Sequence, residues 1–188
     1  MRVPALSLRR RLVRHLCLIL AIAALTAMPS SVAAQFDDDQ VKAAFVVNFL
    51  KFVTWPEAAG ASEAPIEVVV VGADDLAEAL AQAAGRQQIG GRSIVVRRVA
   101  SGRAVTAAAP HIVFIGAAER DRLPALLRQF EGRPVLTVGD GSGYGAAGVV
   151  LNFYTSDARI RFEANTTAAA RARLQISSHL LRLARIVG

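Results

Sequence analysis

The stretch from Val41 to Glu57, VKAAFVVNFLKFVTWPE, constrains the fold more than any other in the chain. At about 100° per residue, Val41, Phe45, Asn48, Phe52 and Trp55 fall on one side of a helix. Val46, Leu50 and Val53 fall on the opposite side, so the helix is apolar nearly all round. Such a helix is buried on more than one face, by packing layers or by a partner. Its start is expected at Asp37, Asp38 and Asp39, which supply N-caps and negative charge where the helix dipole favours it. Its end is expected at Pro56, which pushes Trp55 out of the α region. Asn48 stands apart, either a hydrogen-bonded core amide or a contact to a ligand or partner.

Residues 1–34 read as a secretory signal peptide rather than as part of the fold. Arg2, Arg9, Arg10, Arg11 and Arg14 form a basic start, Leu16 to Leu25 an apolar run, and Val32-Ala33-Ala34 a cleavage site near Ala34. The apolar run is too short to span a bilayer. Removing the leader takes five arginines from the 22 Lys+Arg, leaving 17 against 15 Asp+Glu, so the formal charge falls from +7 to +2. That near balance argues against nucleic acid as a partner. The expected mature chain, residues 35–188, is long enough for one domain with its own core. The only cysteine of the sequence, Cys17, leaves with the leader, so packing alone must hold the mature chain together.

Further along, Ala58 to Pro65 and Ala100 to Pro110 read as connections. Ile66 to Val71 (IEVVVV) is a β-branched run without alternation, the pattern of a central strand covered on both faces. His111–Ile115 and Pro134–Val138 read the same way, while Ser93–Val99 is a strand nearer an edge because of Arg97 and Arg98. Helices are expected over 75–84 and 121–130, each with an inward apolar stripe. Val149–Tyr154 and Arg159–Ala164 are expected to pair as an antiparallel hairpin across the four residues Thr155–Ala158. On the second strand Ile160 and Phe162 face one way and Arg159, Arg161 and Glu163 the other, an edge strand with a charged outer face. A long helix is expected over 167–186, capped by Asn165 or Thr166. The whole is an α/β three-layer sandwich with a mostly parallel central sheet, a C-terminal hairpin and a long C-terminal helix.

Catalytic patterns are weak. Gly143-x-Gly145-x-x-Gly148 matches the dinucleotide fingerprint as a string, but the strand-like Val149-Val150-Leu151 follows where a helix must. The mature histidines, His111 and His179, adjoin no nucleophile motif, and no metal spacing or cofactor signature is present. The reading is of a binding protein, not an enzyme.

Three stretches carry a resemblance. VKAAFVVNFLKFVTWPE (41–57), GVVLNFYTSDARIRFEAN (148–165) and AAARARLQISSHLLRLARIVG (168–188) together resemble the YfiR family of periplasmic proteins. The resemblance implies a negative regulator that binds the sensing domain of an inner-membrane diguanylate cyclase and represses cyclic diguanylate synthesis, so disfavouring biofilm. It also implies a possible outer-membrane lipoprotein of the YfiB kind as a sequestering partner, and a homodimer. A histidine kinase sensing domain is the alternative membrane partner. The family's best-known version uses disulfides, which a mature chain without cysteine lacks. Candidate partner contacts are Phe153 (as an aromatic anchor if it faces outward, as core if not), Arg159, Arg161, Glu163 and Asn165. The competing reading is a small-molecule sensor with a pocket near Asn48 and Trp55.

Overall fold

A computed structural model describes residues 31–56, 64–85, 87–101, 105 and 110–188, with side chains from residue 38 onward. The expected leader lies outside the described residues up to residue 30, as do most of the connections expected over 58–65 and 100–110. The chain begins with helix α1 (Ser31–Phe52), strands β1 (Val53–Thr54) and β2 (Ile66–Val71), and helix α2 (Asp74–Ala84). Strands β3 (Gln88–Ile89), β4 (Arg92–Val99) and β5 (Ile112–Ile115) follow, then a 3-10 turn (Ala117–Arg122) running into α3 (Leu123–Gln129). The last part holds β6 (Leu136–Gly139), β7 (Leu151–Ser156), β8 (Arg159–Asn165), α4 (Thr166–Arg171), β9 (Gln175–Ile176), α5 (Ser178–Leu181) and β10 (Arg185–Val187).

Eight of these strands form one sheet in the order β10-β8-β7-β6-β5-β2-β4-β3. Five of its seven pairings are parallel; β7 with β8 and β4 with β3 are antiparallel. The unalternating run β2 sits between β5 and β4 and is covered on both sides, as its composition requires. Val68 and Val70 pack with Phe114, Val138 and Phe153 under α1 and α2. Val69 and Val71 pack with Val113, Ile115 and Val149 against Leu123, Leu126 and Phe130 on the other side. The architecture is therefore α/β around a mostly parallel central sheet, and residues Phe36–Gly188 form one compact unit.

Four expectations are corrected. Helix α1 runs from Ser31, so Asp37–Asp39 lie inside it rather than at its start; no Gly or Pro interrupts residues 31–52. It stops at Phe52, before Trp55, because Val53–Thr54 turns into β1 and pairs antiparallel with β9. The β7–β8 turn is the two residues Asp157-Ala158, not four, with Ser156 opposite Arg159. Both turn residues are left-handed, at φ 51° and 55°, which matches the twist of the flanking strands.

The fourth correction is the largest. The long helix expected over 167–186 does not exist: α4 ends at Arg171, and Arg173 turns left-handed at φ 56°. Ser177 N–H then bonds the Phe52 carbonyl at 2.9 Å, and its hydroxyl caps α5 by accepting from Leu180 N at 3.3 Å. Residues 185–187 add to the sheet as β10, parallel to β8, with Arg185 level with Glu163 and Val187 with Asn165. Strand β8 is therefore not the edge; β10 is.

Candidate functional site

In open parallel sheets ligands bind outside the carboxyl ends of the strands where the strand order reverses. That point here lies between β2 and β5, and the chain fills it with its own groups. Gly116 lies so close to the Gly72 carbonyl that a Cβ would collide with it, and its N–H bonds the Val71 carbonyl at 2.9 Å. Over Gly72, at φ +66°, sits the buried carboxylate of Glu119, held by Arg122 at 2.6 Å. Tyr144 from the glycine-rich loop closes the other side, donating to the Gly116 carbonyl at 3.2 Å. Burial raises its phenol pKa, so the hydroxyl stays a donor.

Beside this plug, Lys42 of α1 bridges Asp140 at 3.0 Å and Asp39 at 3.7 Å. Burial raises the Asp39 pKa above its usual value, with Lys42 opposing and Asp140 and Asp75 adding to the rise. The folded state thus holds this proton more tightly than the unfolded chain. The stability contributed is full below about pH 3.8 and is lost as pH rises through the folded pKa. Asp39→Asn is accordingly expected to raise Tm at pH 7, with the gain gone when melting is repeated near pH 3.

The glycine-rich loop 139–148 is bracketed by two asparagines of the hairpin. Asn152 donates to the Gly141 carbonyl at 3.1 Å and Asn165 to the Gly145 carbonyl at 2.9 Å. Asn165 also caps α4, its Oδ1 accepting from Ala168 N at 2.8 Å. Gly145 has no space for a Cβ, because the Glu163 carboxylate lies against it. Glu163 in turn accepts from Arg185 of β10, whose guanidinium stacks over Tyr154 at 4.2 Å from the ring centre. The Glu163 bond raises the Arg185 pKa further.

The structure therefore sorts the expected partner contacts. Phe153 is 2% exposed and faces inward, against Phe45, Phe49 and Phe114. Glu163 and Asn165 are buried, which corrects the charged outer face expected for β8. Arg159 and Arg161 remain exposed, with Arg161 4.0 Å from a still more exposed Asp157. Sequence reasoning missed Arg185, Leu183 and Ile186 at the new edge; the β-branched end Ile186-Val187 was the one signal of a strand there.

Asn48 and Trp55, expected near a ligand pocket, take different settings. Asn48 is exposed on α1, between the exposed Val41 and Phe52. Trp55 packs edge-on against His111, with ring centres 6.1 Å apart, and its buried Nε1 has no hydrogen-bond partner among the described residues. His111 accepts at Nδ1 from Glu67 N at 3.2 Å, and its Nε2 lies 3.0 Å from Arg92, a structural setting for that ring. The cavity of about 460 Å³ lies elsewhere, lined by Leu127, Phe130, Val135 and Ala147 with Arg128 and Arg171.

A family model described as YfiR/HmsC-like matches residues 39–185. The chain belongs to the YfiR/HmsC-like family. The family supports a periplasmic regulator of cyclic diguanylate signalling in general. Among the described residues no helix is long and apolar enough to cross a membrane. Among solved structures, a conserved domain protein from Vibrio cholerae O1 biovar El Tor str. N16961 matches at 12% identity and a TM-score of 0.49. The match covers 65% of this YfiR/HmsC-like chain, which spans 55% of the Vibrio chain.

Proposed function

We propose that this chain is a periplasmic negative regulator that binds the sensing domain of an inner-membrane diguanylate cyclase and represses cyclic diguanylate synthesis. The observation that carries the reading is the YfiR/HmsC-like match running through residues 39–185, from α1 to β10. Two features support it. The crevice where α/β sheets usually take ligands is filled by Glu119 and Tyr144, and exposed arginines, Arg159 and Arg161, stand on the hairpin. In this reading the leader is cut near Ala34, the chain works as a homodimer, and an outer-membrane lipoprotein of the YfiB kind sequesters it when the cyclase is released. A histidine kinase sensing domain is the substitute partner. Deleting the gene is expected to raise cellular cyclic diguanylate, measured by mass spectrometry of nucleotide extracts, and export of the chain should restore it. An unchanged nucleotide level sinks cyclase repression.

One observation favours a second reading, a small-molecule sensor. The cavity of about 460 Å³ is within the range of small-ligand sites and carries Arg128 and Arg171 with Glu131, Thr137 and Thr167 among apolar side chains. A metabolite held there at 100-fold its Kd raises stability by about 2.7 kcal/mol, a shift readable in a thermal screen of small carboxylates.

A further inference from the structure

Strand β10 ends the sheet, and no described strand pairs with its other side. Its outward N–H and C=O groups are a ready template for another strand unless the edge is blunted. Natural edges are blunted by charge pointing outward, yet the Arg185 side chain is turned back onto Glu163 and Tyr154. The two most exposed large apolar residues described are here instead: Leu183 at 72% and Ile186 at 52%. Ile186 is level with Ala164, a member of the apolar cluster beneath α1, so its side chain continues that face past the last strand. An added strand would cover it.

Charge says what kind of strand. Residues 159–188 hold six arginines and one acidic residue, Glu163, which Arg185 already engages. Arg161 stands two residues before Glu163 on β8, Leu183 stands two residues before Arg185, and Arg182 precedes it. The apolar edge is thus set among exposed cations, which disfavour a second basic edge and favour carboxylates.

We propose that β10 receives an extended segment of the partner's periplasmic domain as a further strand, one in which apolar residues alternate with Asp or Glu. This rests on the reading of the chain as a cyclase-binding regulator, and names how the partner is held. Main-chain bonds along β10 give affinity, Leu183 and Ile186 supply apolar cover, and Arg159, Arg161 and Arg182 select acidic sequence.

The test titrates the purified protein with the isolated periplasmic domain of each membrane diguanylate cyclase of the same bacterium, one at a time. Wild type is compared with Leu183→Glu and Ile186→Lys, both at exposed positions, with Tm confirming that each variant is folded. Each substitution is expected to weaken binding about tenfold or more. Wild-type affinity is expected to fall as salt rises. Hydrogen exchange should show new protection over residues 182–188. If wild type binds but both variants bind as well, or protection falls on α1 instead, strand addition is overturned while the regulator reading stands. If wild type binds none of these domains, the cyclase-binding reading itself falls, and this inference with it.

Discussion

Phe153→Ala is expected to destabilise the protein by about 4 kcal/mol, the cost of removing a buried ring and leaving a cavity. The ring is 2% exposed at the centre of an aromatic cluster: Phe49 stacks on it at 5.7 Å, Phe45 tilts against it at 5.9 Å, and Phe114 lies at 6.4 Å. Its cross-strand neighbour is Phe162, which meets Phe49 edge-on at 5.3 Å. Helix α1 is attached to the hairpin largely through these rings, so the loss is shared between two layers. At 2–4 °C per kcal/mol for a domain of this size, Tm should fall by roughly 8–16 °C. Such a loss is a large fraction of the roughly 5–15 kcal/mol that holds a domain folded. Thermal melting checks it, and Phe153→Leu, which keeps most of the volume, should lose much less. A Phe153→Ala protein with unchanged Tm but lost partner binding would return the residue to the role of an outward anchor.

What the sequence made legible, and what it did not, divides along physical lines. The run Ile66–Val71 is β2 to the residue, because five β-branched residues in six without alternation, bounded by Pro65 and Gly72, favour a doubly covered strand. Helix α2 begins at Asp74, one residue from expectation, since its apolar stripe is local information, although Ala77 and Ala84 are buried with Leu76 and Leu80 where Ala79 and Ala83 were expected. The end of the chain failed for the opposite reason. Alanine, leucine and arginine dominate residues 168–185 and favour helix locally. The partners that break the helix are distant: Val53–Thr54 pairs β9, the Phe52 carbonyl takes Ser177 N–H, and β8 takes β10. That single error propagated, because an unseen β10 made β8 an edge and turned the buried Glu163 into an exposed charge. Tyr144 depends on distant partners in the same way: it sits in a loop half made of glycine, and Gly139 and Gly141 are bare so that its ring can lie against them. Asn165 was legible as a helix cap, which it is for α4, but its task of holding that loop together with Asn152 was not.

Asn165→Ala is the second large effect, because one side chain serves two elements, α4 and the glycine-rich loop. Its Oδ1 caps α4 at Ala168 N, a contribution of about 1 kcal/mol. Its Nδ2 donates to the buried Gly145 carbonyl, which keeps the Gly148 N–H at 3.2 Å when the amide is removed, so this loss costs about 0.5–1.5 kcal/mol more. Its backbone N–H bonds the Val150 carbonyl at 2.8 Å and survives the change, so strand pairing is retained. The expected total is roughly 1.5–2.5 kcal/mol, or about 3–10 °C in Tm. The two roles are separable with Asn165→Asp, which keeps an acceptor for Ala168 N but sets a second oxygen against the Gly145 carbonyl. If the cap dominates, that variant recovers most of the loss. If the bracket on the glycine-rich loop dominates, it recovers little, and hydrogen exchange should quicken over 143–148 and over β10, which shares Glu163 with that loop. The second outcome is expected, because a cap at a helix of six residues, Thr166–Arg171, secures less structure than the loop that closes the sheet. An Asn165→Ala protein that melts with wild type and only loses its partner would show the amide to be a contact surface, against both roles.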